Sequence, residues 1–258
     1  LRYSAQVIDC SSARRVLVLR IEHSWVGPHR VTFKGHDKFY ARNSTGKYPL
    51  DVGELRTAFT MAATVTERIR AFRVDRVIAV SNNRTPVPFS PDPKLILHCI
   101  PLESFAGQAQ FDVLRYYRSP ERLRPMGSSG WSYRINLDGV VTYSGADPYV
   151  SYTQLYRNGT LEAVHGRLLG HEHQGRRAIP SIAYEEHVFR YLPVCFQILQ
   201  ELGCSTPVIV ALSLTSVKGL HMGVGDMEFD DTDHPIDTET LMLPETVVED
   251  FATPPGKV

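Results

Sequence analysis

The sequence predicts an α+β fold in two parts, and three observations carry that expectation. Alternating segments flank Asp138-Gly139, and two more flank Asn158-Gly159; these dipeptides supply the positive backbone angles that tight hairpin turns need. An apolar stripe of Val188, Tyr191, Leu192, Cys195, Phe196 and Leu199 repeats at helical spacing over about 182–202 and stops at Gly203, a ready C-cap. Between 81 and 93, four prolines preclude a continuous helix or strand and mark a linker. The expected division is a first domain at 1–80, a linker at 81–93 and an α+β domain at 94–258, an antiparallel sheet packed against a long helix.

Taken in order, residues 5–10 and 15–22 read as a hairpin. Its second strand, Val16-Leu-Val-Leu19, is continuously apolar, as for a central strand covered on both faces. A strand at 38–42 runs into Asn43-Ser-Thr-Gly46, a turn sequence. Asp51 and Glu54 have capping-box spacing, so both acids are assigned to the start of a helix over about 52–59 rather than to chemistry. A second helix, about 62–80, turns Val65, Ile69, Phe72 and Ile78 to one side. Arg68, Arg70, Arg73 and Arg76 fall on the other, a face for solvent or for phosphates.

The second part opens with a strand at 94–100, then a helix capped by Ser104 and running through 117 with Phe105, Phe111 and Leu114 inward. A loop covers 119–130, and its Gly127-Ser-Ser-Gly130 reads as flexible. The two hairpins give a four-strand meander. Pro193 should kink or divide the long helix. A buried strand at 207–214, a short piece at 240–243 and a frayed tail complete the chain.

The 258 residues hold 28 basic and 28 acidic side chains, so no global field draws a polyanion, and a nucleic-acid site must be a local patch. The charge is uneven: 14–76 is rich in Arg and Lys, 226–250 in Asp and Glu. Cys10, Cys99, Cys195 and Cys204 lack zinc spacing and lie in or beside apolar segments, as buried reduced thiols do. No apolar run reaches membrane-spanning length and no signal peptide is visible, so the default location is cytoplasmic, with no membrane partner.

Several weak motifs read as structure. His171-Glu172-His173 would put two imidazoles on one side of a strand, but no third zinc ligand is identifiable. Asp226, Glu228, Asp230, Asp231, Asp233 and Asp237 do not fit a calcium loop, and Gly223-Val-Gly225 lacks the rest of a dinucleotide fingerprint. Neither a phosphate loop of the ATPase type nor a nucleophile elbow occurs.

The stretch 28–59 is different. Arg30, Lys34, Lys38, Arg42 and Lys47, with His29 and His36, interleave with Phe33, Phe39, Tyr40 and Tyr48. Cations contact phosphates and rings stack on unpaired bases. The candidate nucleic-acid-binding residues are His29, Arg30, Lys34, Lys38, Tyr40, Arg42, Lys47 and Tyr48. The same pattern also describes a half-buried hairpin with its aromatic side inward, in which Arg42 and Lys47 pair with Asp37 and Asp51.

Leu17-Val-Leu-Arg-Ile21, Ser24-Trp25, Pro28-His29, Phe39-Tyr40-Ala-Arg42-Asn-Ser-Thr-Gly-Lys47 and Asp51-Val-Gly-Glu54-Leu55 together resemble the Alba-like domain of the Schlafen family. That resemblance implies a bacterial nucleic-acid-binding protein, acting on RNA or DNA, of a kind often placed in phage defence. Some members are nucleases with metal-held carboxylates. In the family those acids precede the first matching strand, and this sequence starts at Leu1 close to it, so the expectation is the later part of the domain. No catalytic residue can then be assigned here, and a divalent metal would enter only with the upstream acids. The alternative is a non-catalytic scaffold or sensor that binds a partner or a second copy through 131–202, with Trp131, Tyr152, Tyr156 and Phe189 as interface aromatics.

Overall fold

A computed structural model describes residues 3–10, 14–21, 28–89, 92–107, 110–173, 175–223 and 234–258. Ser24-Trp25 and the acids of 226–233 lie outside them. The chain divides into two compact units, Leu1–Thr64 and Val65–Val258. Both helices and sheets are present, as expected for an α+β chain.

In the first unit, β1 (Tyr3–Cys10) and β2 (Arg14–Ile21) form an antiparallel pair. The expectation that β2 is covered on both faces does not hold among the described residues. Its only strand partner there is β1, and Leu17 is 60 % and Leu19 55 % exposed. Cys10 is likewise exposed rather than buried. A second sheet follows, with β3 (Arg30–Phe33), β4 (His36–Asn43) and β5 (Gly46–Pro49) in that order and all antiparallel. The expected turn after β4 is present. The Asn43 side chain accepts from the Thr45 and Gly46 amides at 3.0 and 3.2 Å, which closes the chain on itself.

Helix α1 (Val52–Ser81) begins as anticipated, in a reciprocal capping box. The Glu54 amide donates to Asp51 Oδ1 at 2.8 Å, and the Asp51 amide donates to Glu54 Oε2 at 2.9 Å. The two expected helices are one. No glycine or proline interrupts 54–81, and the hydroxyls of Thr57, Thr60 and Thr64 bond back to the carbonyls one turn earlier.

The second unit is built on an eight-stranded sheet. Its members are β6 (Lys94–Pro101), β7 (Ser132–Ile135), β8 (Gly139–Ser144), β9 (Ser151–Tyr156), β10 (Leu161–His165), β13 (Val208–Thr215), β15 (Thr240–Met242) and β16 (Thr246–Val248). The order is β15-β13-β6-β10-β9-β8-β7, with β16 also on β13 and every pairing antiparallel. The expected meander is the run β7 to β10. At its first turn Gly139 has φ +149°, and a Cβ there would stand 2.1 Å from the Leu155 carbonyl oxygen, so only glycine serves. A small sheet of β11 (His171–His173), β12 (Arg176–Pro180) and β14 (His221–Gly223) lies outside it.

Two layers cover the large sheet, not the single helix expected. On one face, alternate residues Leu95, Leu97, Cys99, Leu155, Leu161 and Val210 pack against Tyr191, Leu192, Cys195 and Leu199 of α4 (Ser181–Leu202). Helix α4 runs through Pro193 as one element and ends at Gly203, whose φ of +80° caps it. On the opposite face, Ile96, Val141, Tyr152 and Val164 pack with Val77 and Val80 of α1, and Ile100 and Ile209 with Ile69. The period-2 alternation of a sheet buried on both sides is thus fully used.

Three further expectations are corrected. The proline-rich segment 81–93 is not a linker, because Val87 and Phe89 are buried in the core and Phe89 bridges Tyr149 as a short parallel pair. The helix expected through 117 is two short turns, α2 (Glu103–Ala106) and α3 (Arg115–Arg118), because the chain at Gly107 is extended. The tail is not frayed: Phe251 meets Phe196 at 5.8 Å, and Thr246 donates to the Val258 carbonyl at 2.8 Å.

Candidate nucleic-acid interface

Strand geometry sorts the basic, aromatic stretch onto two faces. Side chains alternate along a strand, and residues opposite one another across an antiparallel pair share a face. The register Phe33↔His36, Val31↔Lys38, Tyr40↔Pro49 and Arg42↔Lys47 therefore gathers Phe33, His36, Lys38, Tyr40, Arg42 and Lys47 on one face. The register Arg30↔Phe39 and Ala41↔Tyr48 sends those residues to the other. Helix α1 covers that second face, where Phe39 meets Phe59 edge-on at 6.1 Å and Tyr48 donates to Glu54 Oε1 at 3.0 Å.

Of the eight candidates, Lys38, Tyr40, Arg42 and Lys47 share the outward face. Lys34 sits in the β3–β4 turn at φ +49°, with its Nζ 5.4 Å from the Phe33 ring centroid. Arg30 belongs to the helix-facing side, though its side chain is exposed. Tyr48 is withdrawn from the outward face: its ring is half-buried, and its hydroxyl, bonded to Glu54, is raised in pKa by that bond and by burial. His29 precedes the sheet and is exposed.

Among the described residues, the outward face carries no acid. The anticipated pairing of Arg42 with Asp37 and of Lys47 with Asp51 does not occur: Asp37 accepts from Thr32 on the other face, and Asp51 caps α1. Among the described residues, Lys38, Arg42 and Lys47 have no ion pair. Arg42 and Lys47 stand directly opposite each other across the strands, an arrangement that costs stability through like-charge repulsion. Lys47 relieves part of that by lying over the Tyr40 ring, Nζ to centroid 4.4 Å. The ring most open for stacking is Phe33, 66 % exposed on the same face. Sequence pattern alone did not single out Phe33 or His36, because it does not say which residues of a stretch share a side. Counting alternate residues across the Lys34–Gly35 turn would have found them.

The arginines of α1 tell the opposite story. Arg73 is buried and donates to the Leu212 and Leu243 carbonyls at 2.8 and 2.9 Å and to Ser213 at 3.1 Å. Arg76 forms a bidentate pair with the buried Glu162, both bonds 2.8 Å. Arg70 pairs with Glu245 at 3.5 Å, and Arg68 reaches the Phe105 carbonyl at 3.4 Å. Ile78, expected inward, is exposed instead. At Arg73 and Arg76 this face is a structural seam, while Arg68 and Arg70 stay exposed.

His171 and His173 lie on β11 facing Ala178 and Arg176, and among the described residues no three groups are placed to hold a metal. Of the aromatics considered for a partner surface, Tyr152 is fully buried and Trp131 donates to the Pro120 carbonyl at 3.2 Å. Tyr156 packs on Phe72 at 5.5 Å, and Phe189 alone of the four is exposed. No helix among the described residues is long and apolar enough to cross a membrane. Comparison with protein-family models, with curated proteins and with solved structures found no match to this chain.

Proposed function

We propose that the outward face of the β3–β5 sheet binds single-stranded nucleic acid through its phosphates, and that the chain is the nucleic-acid-binding part of a Schlafen-like protein. The observation that carries this reading is the Arg42↔Lys47 pair: two cations opposed across a sheet, with Lys38 on the same face and, among the described residues, no acid paired with them. A phosphate backbone supplies the counter-charge that the chain withholds. Phe33 offers a stacking surface that accepts any base. Such contacts position a strand without reading its sequence, and they treat RNA and DNA alike.

The test is a salt series of binding to single-stranded oligonucleotides of unrelated sequence. Replacing Lys38, Arg42 and Lys47 together with alanine should weaken binding to all of them equally. The slope of log K against log salt should fall by about 2, since each phosphate contact on a single strand contributes about 0.7. An unchanged slope in a folded triple variant overturns the proposal. Phe33→Ala should weaken binding without changing the slope.

A further inference from the structure

The second unit contains a pocket that the nucleic-acid reading does not use. It is a cavity of about 330 Å³ lined by Arg124, Gly127, Ser128, Ser129, His187, Arg190 and Tyr191. The loop before β7 forms one wall and α4 the other. Tyr191, buried on α4, fixes the loop by donating to the Arg124 carbonyl at 2.7 Å while accepting from Thr153 at 2.6 Å. Gly127 lets the loop close onto two imidazoles. It has φ +67°, and a Cβ there would stand 3.0 Å from His165 Nε2 and 3.1 Å from His187 Cδ2. A side chain at 127 would therefore be strained and crowded at once. The segment that reads in sequence as a flexible loop is a shaped turn.

The polar groups around the cavity are biased toward donation. The exception is His187, whose Nδ1 lies 2.8 Å from the Ala183 carbonyl and must donate to it, which leaves Nε2 of the neutral ring as an acceptor. His165 Nδ1 accepts the Arg167 amide at 3.3 Å, so its proton sits on Nε2, toward Gly127. Burial, with His187, Arg167 and His171 nearby, lowers the His165 pKa to about 4, so this ring donates while uncharged at neutral pH. Ser128 donates to the Gly130 carbonyl at 2.8 Å and lies 2.6 Å from the Ser144 hydroxyl. The Ser129 hydroxyl and amide have no partner among the described residues. Arg190 is tied to Glu186 in an exposed pair, which neutralises it in part. Arg124 has no ion pair among the described residues, and no acid lines the cavity.

We infer that this pocket binds a phosphomonoester. Arg124 supplies the charge, Ser129 donates the directional hydrogen bonds, His187 Nε2 accepts from the P–OH that a phosphomonoester monoanion keeps, and the remaining volume holds the group that carries the phosphate. A cavity this size exceeds what inorganic phosphate fills and matches the lower range for small-ligand sites. Two sources share the chemistry: a free mononucleotide, and the phosphorylated end of a nucleic-acid strand.

Calorimetric titration of the full chain with adenosine 5′-monophosphate, adenosine and inorganic phosphate tests the inference. The monophosphate should bind, adenosine should not, and inorganic phosphate should compete. Arg124→Ala and His187→Leu should each weaken the monophosphate at least tenfold, Arg124→Lys should restore part of the loss, and Lys218→Ala, outside the cavity lining, should leave it unchanged. Equal binding of adenosine and its monophosphate overturns the inference. So does an Arg124→Ala variant that melts like the parent and binds the monophosphate as tightly. A 5′-phosphorylated oligonucleotide that binds tighter than both the mononucleotide and its own dephosphorylated form identifies the strand end as the source. Tighter binding of the mononucleotide identifies the free nucleotide.

Discussion

The two units each build an antiparallel sheet that presents arginine, tyrosine and histidine, and they use these residues in opposite ways. On the large sheet, Glu162 is fully buried and takes four hydrogen bonds at its two oxygens: two from Arg76 at 2.8 Å, one from His98 Nε2 at 3.0 Å and one from Tyr152 at 2.7 Å. Phe72 closes the network from above, packed on His98 and Tyr156. On the β3–β5 sheet, Arg42 and Lys47 oppose each other in the open, with no acid paired to them among the described residues. The difference teaches what burial does to a charge. Inside, an unpartnered ion costs several kcal/mol, so each buried ion must find its partner within the chain. Outside, water tolerates an unpaired cation at little cost, which leaves it available to a ligand.

The largest effect should come from breaking the buried network. Glu162→Ala strands Arg76, His98 and Tyr152 without their acceptor and should destabilise the second unit by about 3–5 kcal/mol in chemical denaturation. A loss below about 1 kcal/mol would show that the network is not what holds α1 to the sheet. The same carboxyl sets an acid limit. Burial alone would raise it, but the bonds from Arg76 and His98 outweigh burial and hold it at about 2. A group whose pKa is depressed on folding stabilises the fold above its ordinary value, and that stability is lost as pH falls through the folded value. Between about pH 4.5 and pH 2 the chain should lose about 3 kcal/mol from this group. Glu162→Gln should start less stable and show a flatter acid limb in thermal melts followed by circular dichroism.

Much of the fold was readable in the sequence, and the failures have a common cause. The meander, the long helix with its Gly203 cap and the Asp51–Glu54 box were legible because each depends on neighbours a few residues apart. The role of the α1 arginines was not. Arg73 and Arg76 fall on the polar side of a helical pattern, yet their partners, Leu212, Leu243 and Glu162, are 86 to 170 residues away. Likewise the prolines of 81–93 excluded a helix correctly but said nothing about the burial of Val87 and Phe89 between them. At the interface, sequence supplied the residue types, while the division into Lys38, Tyr40, Arg42 and Lys47 outward and Tyr48 inward required the strand register.

An intermediate effect should follow from the first turn of α1, which belongs to neither extreme. Asp51 is exposed but satisfies an amide that would otherwise be orphaned at the helix start. Asp51→Ala should cost about 1 kcal/mol. Amide exchange should accelerate first at Val52–Leu55, and Glu54, released from the box, should no longer hold Tyr48.

The smallest effect on stability belongs to the exposed cations, and its sign is diagnostic. Arg42→Ala or Lys47→Ala should change the melting free energy by less than about 0.5 kcal/mol. If the two cations repel across the strands, either substitution should be neutral or slightly stabilising at low salt. Added salt should then stabilise the parent chain more than either variant, because only the parent has a repulsion to screen. A clear destabilisation by Arg42→Ala, independent of salt, would mean that the arginine serves the fold in place of a ligand. The contrast with Arg76 would then fail, since both guanidinium groups would be structural.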